Sequence, residues 1–348
     1  MRLARLGLVF ALTGCQSGAL APPVPAVPSG VAGARDDVTA GVRGGHLYVA
    51  VTTATHYPSI ERFRIVHGLP ESTPDRVYEG YGGLIAAAGD GTLYAFGNVA
   101  SGGDIYAFGP RGTKPVRKLE IPSPGRCGVS SGEETEISAL AADARGYLFA
   151  AIYTYAGGLP PRTHGAIPAK SGGVPCNGVA VFAPGAHGKV SPVQTIPLGQ
   201  HAVVTGIAVD PRDELYITED PYTIAEFTNA VTDPRRSRVF HTKAPAHVSS
   251  VATDDAGDVF ISNVNYGYKT GWIDRYSPGA KAKGPPTSQI RFQGSNLHFL
   301  VSIAVGRRVL YDVDDFTSVD LYHALQNRSQ SPFYSLAAND VSAVAIGP

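Results

Sequence analysis

The chain has 348 residues, of which 43% are hydrophobic and 17% charged, with Lys+Arg and Asp+Glu balanced at 29 each. This excludes a wholly disordered chain, and a formal charge of zero gives no basic footprint, so no nucleic-acid partner is expected. With 41 Gly and 27 Pro but no G-X-Y period, long helices and collagen are excluded too, and no apolar run reaches the roughly 18 residues of a membrane span.

Arg2 and Arg5 precede a short apolar stretch, Leu6 to Leu12. That is the pattern of a secretory signal peptide, too short to cross a bilayer. The residues that close it, Leu12-Thr13-Gly14-Cys15, resemble the cleavage box of bacterial lipoproteins. The resemblance implies that Cys15 becomes an acylated N-terminus and that the membrane is a partner through this lipid. Gln16 follows, not Asp, which by resemblance to Gram-negative lipoprotein sorting implies the outer membrane. An ordinary signal peptide with a chance cysteine is the alternative. Residues 1–15 are therefore expected to be the leader, 16–41 a Pro/Ala/Gly-rich tether, and 42–348 the folded domain.

Within that domain a two-strand motif recurs, at Leu84–Phe96, Ile137–Ala151, Val204–Thr218, Val248–Ser262 and Leu300–Asp312. Small and apolar residues lead to a turn of Asp, Gly, Pro or Arg, and an apolar-aromatic run such as Leu215-Tyr216-Ile217 follows. Third strands such as Asp104–Phe108, Gly178–Phe182, Thr223–Phe227 and Gly271–Tyr276 come next. Shared turns (Phe182-Ala-Pro-Gly, Tyr276-Ser-Pro-Gly) lead to fourth strands. Four antiparallel strands per repeat make one propeller blade. The chain stops at a first strand, Val341–Ile346, and the domain begins with a second strand, Gly45–Val51, so the ends can share one blade. The count is six, with five or seven open if a long insertion is misread.

The Ile-Ala-Val-Asp and Leu-Tyr-Ile pattern resembles six-bladed propellers with NHL-type repeats and, more distantly, the gluconolactonase and regucalcin-like propellers. The fold class is all-β. The resemblance says little about activity, because the fold hosts unrelated functions. A small-residue column (Gly83, Ser138, Thr205, Ser249, Val301, Ser342) and its neighbour (Leu84, Ala139, Gly206, Ser250, Ser302, Ala343) read as close packing of the inner strands.

The loops entering the inner strands and those joining second to third strands belong to one face, where a rigid scaffold positions function. The entry column is Tyr81, Glu136, Val203, His247, Phe299 and Asp340. The second-to-third loops are expected to add Asn98, Tyr153, Glu219, Asp220, Asn263, Asn265, Asp312, Asp314 and Asp315. These carboxylates and amides are hard oxygen ligands suited to Ca²⁺ or Mg²⁺ at the channel mouth, and Glu136, His247 and Asp340 can also serve as acid and base. The gluconolactonase-like propellers place a metal there. Their ligand motif is not matched residue for residue, so no catalytic role is carried over. The streptogramin-lyase propellers use a His and acidic residues on the same face, without a shared motif here.

Two long insertions, Ser123–Glu136 and Tyr153–Asn177, fall at one edge of one blade and carry Cys127 and Cys176. A disulfide between these is expected in an exported chain. Arg235-Arg236-Ser237-Arg238 reads as a solvated turn. No phosphate loop, G-x-S-x-G elbow, CxxC or HExxH occurs. The expected function is an envelope-anchored module that binds an envelope protein or carbohydrate. The alternative is a metal-dependent hydrolase or lyase at the funnel.

Overall fold

Short runs with period-two alternation, punctuated by Gly and Pro, can bury apolar residues on both sheet faces only by stacking sheet on sheet. The computed structural model has this form. It describes residues 45–51, 58–97, 104–121, 133–156, 177–199, 202, 204–220, 222–242, 246–265, 270–281, 284–292, 300–306, 308–314, 317–338 and 340–348. All lie within the unit Gly41–Pro348 and, apart from turns, form strands.

Six antiparallel blades form a six-bladed β-propeller. Blade one joins the two ends of the domain: Val341–Gly347 is innermost, followed outward by His46–Val51, Ser59–Val66 and Arg76–Glu79. Blade two is Tyr81–Ala87, Leu93–Gly97, Ile105–Phe108 and Pro115–Glu120. Blade three is Glu133–Ala142, Leu148–Ala156, Asn177–Phe182 and Gln194–Pro197. Blade four is Ile207–Val209, Leu215–Asp220, Thr223–Thr228 and Arg235–His241. Blade five is His247–Thr253, Val259–Asn265, Thr270–Tyr276 and Ser288–Phe292. Blade six is Leu300–Gly306, Val309–Asp314, Ser318–His323 and Tyr334–Ala337. The innermost strands touch in sequence, and Val341–Gly347 meets Tyr81–Ala87 to close the ring.

The core is six seams, each a buried cluster shared by two neighbouring blades. The second strands supply one large aromatic per blade: Tyr48, Tyr94, Phe149, Tyr216, Phe260 and Tyr311, all buried. Opposite the residue before each stands Phe63, Phe108, Phe182, Phe227, Tyr276 or Tyr322. The motif's Asp shapes the hairpin turn. Asp143, Asp210 and Asp254 each accept backbone N–H bonds from residues two and four further on.

The small-residue column proves to be a line of β-bulges. The inner ladder skips Ser342, Ser138 and Ser249, and shifts between Tyr81 and Ile85 and between Leu300 and Ile303. Hydroxyls at this height stitch blade to blade. Thr205 Oγ1 donates to Val248 O at 3.4 Å, Ser250 Oγ accepts from Ile303 N at 3.4 Å, and Ser302 Oγ accepts from Val344 N at 3.3 Å. Gly206 is required by proximity, since a Cβ there would lie 3.1 Å from Val251 N.

Three expectations are corrected. Tyr153, Glu219, Asp220, Asn263, Asn265, Asp312 and Asp314 lie in second strands, not in loops. The hairpins turn so tightly that in blade four Asp220 already pairs with Thr223. Arg235–Arg238 belongs to an outer strand, not a solvated turn, and its arginines pair with Asp233, Glu219 and Glu226. Three extra strands were also not foreseen, one of them Leu69–Pro70, which pairs antiparallel with Ile65–Val66 in blade one. Gly188–Lys189 pairs in parallel with Leu119–Glu120, and Ser329–Gln330 with Arg291–Phe292, covering the outer edges of blades two and five.

Candidate functional site

The inner strands surround a central cavity of about 230 Å³, lined by Ser138, Thr205, Ser250, Ser302 and Ser342 among small and aliphatic residues. The entrance rim above it carries the candidate residues. Tyr81 begins its strand but belongs to the packing. It stands edge-on to Phe108 and Tyr106, with ring centroids 4.8 and 5.0 Å away, and burial pushes its phenol up. Glu136 is exposed and lies four residues into its strand, opposite Tyr153, because the blade-three hairpin continues to the pair Glu133–Ala156. His247 opens its strand half-buried, its ring 5.3 Å from that of Tyr222. Asp340 is exposed and takes a left-handed φ of 54° just before its strand.

The second-strand candidates lie deeper. Glu219 forms an ion pair with Arg236. Asn263 is fully buried, with Nδ2 donating to Ile261 O at 3.0 Å and Asp274 Oδ2 at 3.2 Å, while its Oδ1 has no partner. Asp312 is fully buried opposite Asp320. Asp220 and Asp314 end their strands. Among the described residues, no three His, Cys, Asp or Glu side chains gather as a metal site. Cys15, Cys127, Cys176, Asn98, Val203, Phe299 and Asp315 lie outside the described residues.

Sequence reasoning missed Asp274. It accepts hydrogen bonds from Gln289 Nε2 at 2.8 Å, Trp272 Nε1 at 3.2 Å and Asn263 Nδ2. The alternation in Gly271–Tyr276 already put Trp272 and Asp274 on one sheet face. Burial raises the Asp274 carboxyl above its ordinary range, and these three donors oppose the rise. A carboxyl with a raised folded pKa contributes stability below its ordinary pKa and loses it as pH rises through the folded value. Unfolding free energy should therefore fall across the window just above the ordinary aspartate range, and Asp274→Asn should flatten that fall. The one tryptophan, Trp272, reports unfolding by its fluorescence. An unchanged pH profile in the variant would remove Asp274 from this role.

No family model and no curated protein matches the chain. Solved structures do. The periplasmic gluconolactonase PpgL of Pseudomonas aeruginosa superposes with a TM-score of 0.55 at 12% identity, covering 87% of this chain and 99% of that one. A protein from Lactobacillus plantarum gives 0.52 at 13% identity, covering 88% and 99%. At such identities the likeness concerns the six-bladed fold.

Proposed function

We propose that this chain is a lipid-anchored envelope protein whose propeller binds a protein or carbohydrate at its entrance rim. The carrying observation is a division of labour among polar groups. Glu219 and Asn263 are tied into the scaffold, while Glu136 and Asp340 are exposed at the entry ends of their blades and His247 stands half-buried, its ring tilted against that of Tyr222. Aromatic rings and carboxylates on one face suit sugar faces and polar peptide groups. The full chain, titrated with fractionated envelope polysaccharide and envelope protein, should bind one of them saturably. Substituting Glu136, His247 and Asp340 together by Ala should abolish that binding, and equal binding by the variant would sink the reading. Anchoring is tested by acyl labelling, which Cys15→Ala should eliminate. Non-reducing peptide mapping tests the Cys127–Cys176 bridge that belongs to the same reading.

The fold shared with a gluconolactonase supports a second reading, hydrolysis of lactones or esters at the same rim with Ca²⁺ or Mg²⁺. Turnover that needs the metal and is lost in the triple variant would favour it over binding alone.

A further inference from the structure

The strand registers place Tyr216, Glu226 and Arg238 in one row across blade four, facing blade five. Arg238 Nε donates to Glu226 Oε2 at 2.7 Å, and Arg238 Nη1 donates at 2.7 Å to Ala280 O in the Ser277-Pro-Gly-Ala turn of the next blade. The same row in blade two is Tyr94, Ala107 and Arg117, facing blade three. It meets the matching turn, Ala183-Pro-Gly-Ala. Gly185 has a φ of 80° there against 76° for Gly279. A Cβ on Gly185 would lie 3.6 Å from Arg117 Nη1. The two sockets therefore share the tyrosine, the arginine and the turn. Within the row they differ at one position, where the glutamate of blade four is an alanine in blade two, and the tyrosine hydroxyl donates to Glu214 in blade four but to Gly146 O in blade two.

The consequence shows at the guanidinium. Arg117 is half-buried, and its Nε, the counterpart of the atom that holds Glu226, is buried with no hydrogen-bond partner. No carboxylate forms an ion pair with it among the described residues. Asp143, nearby, is engaged with Arg145, and Asp90 accepts from Thr92 N. Of the other arginines at least half-buried among the described residues, Arg62, Arg238 and Arg275 are paired with Asp75, Glu226 and Asp258, and Arg76 donates to Pro110 O at 2.9 Å. A half-buried guanidinium whose Nε lacks a partner, and whose neighbour Tyr94 offers a neutral hydroxyl, is costly to leave without a counter-charge, so the socket is set for an anion.

We propose that Arg117 receives an external carboxylate between blades two and three, in the place that Glu226 fills between blades four and five. A Glu side chain exceeds Ala by two carbons and two carboxylate oxygens, the heavy atoms of acetate. The ligand class is thus a small carboxylate, or the carboxylate of a larger molecule, entering from the face opposite the rim. Lys189, in the short strand that covers the outer edge of blade two, adds positive charge next to the turn.

The test is thermal unfolding of the full chain near neutral pH in acetate against chloride at equal ionic strength. Acetate should raise the melting temperature saturably, because it binds the folded state. Arg117→Gln should lose the response. Ala107→Glu should melt higher without acetate and gain nothing from it. Glu226→Ala should melt lower and acquire a second acetate response, which shows that the assay detects such a socket. A wild type indifferent to acetate, or a response that survives both Arg117→Gln and Ala107→Glu, would overturn the proposal.

Discussion

Deletion of residues 341–348 is expected to leave no cooperatively folding propeller. The strand Val341–Gly347 pairs along the whole of His46–Val51 and closes the ring against Tyr81–Ala87. Its side chains enter two seams, Val341 and Val344 toward blade six, Ala343 and Ala345 toward blade two. The two valines alone contribute about 1.5–3 kcal/mol each by burial. Domains of this kind hold about 5–15 kcal/mol in total. Losing the ladder and opening both seams exceeds that margin, and the bared edge of His46–Val51 would template association. Circular dichroism melting and gel filtration should show aggregated or non-cooperative material. Deleting Pro348 alone removes only its carbonyl contact to His46 Nδ1 and should melt close to the wild type. A truncated chain that stays monomeric and melts at the wild-type temperature would show that closure by this strand is dispensable.

Replacing Glu226 by Ala should destabilise the protein by about 3–5 kcal/mol, the usual cost of stripping one partner from a buried ion pair. Glu226 has a side chain 2% exposed, accepts from Ser237 Oγ and holds Arg238, itself 21% exposed. The loss comes mainly from the stranded guanidinium. The double variant Glu226→Ala, Arg238→Met should therefore recover most of it, since apolar replacement of both partners is often close to neutral. Urea unfolding followed at Trp272 measures both. A single-variant loss below about 1 kcal/mol would place this pair with ordinary surface ion pairs.

The architecture was legible in residue order because each seam needs the same things from each repeat. Leu215-Tyr216-Ile217 and its relatives supply the buried aromatic, and the Asp at the turn supplies its own N–H acceptor. Blade one was legible from two incomplete repeats. Bulges were not, because a skipped residue such as Ser249 leaves the composition of a strand unchanged while moving its register by one. Asn263 and Asp312 were read as loop residues for their polarity. They lie in strands, where Asn263 finds a carboxylate partner in Asp274 on the neighbouring strand. The rim residues Glu136, His247 and Asp340 were legible as a column, but their separation depends on how far each hairpin rises, as blade three shows. The contrast between Ala107 and Glu226 emerges only once register is known, since the outer strand beside each is bulged, at Val116 and at Ser237.

The ladder in blade one brings Gly45 beside Gly347, whose carbonyl a Cβ on Gly45 would approach to 3.1 Å. Joining these ends with a short linker would disturb no strand, and the polypeptide could be reopened at an exposed turn such as Thr113-Lys114 of blade two. In that sense the domain is a cyclic sequence cut once. A circular permutant would keep every seam and every blade-to-blade stitch while moving the shared blade elsewhere. The order of blades around the axis is what folding selects, and the blade in which the backbone is interrupted is free to change.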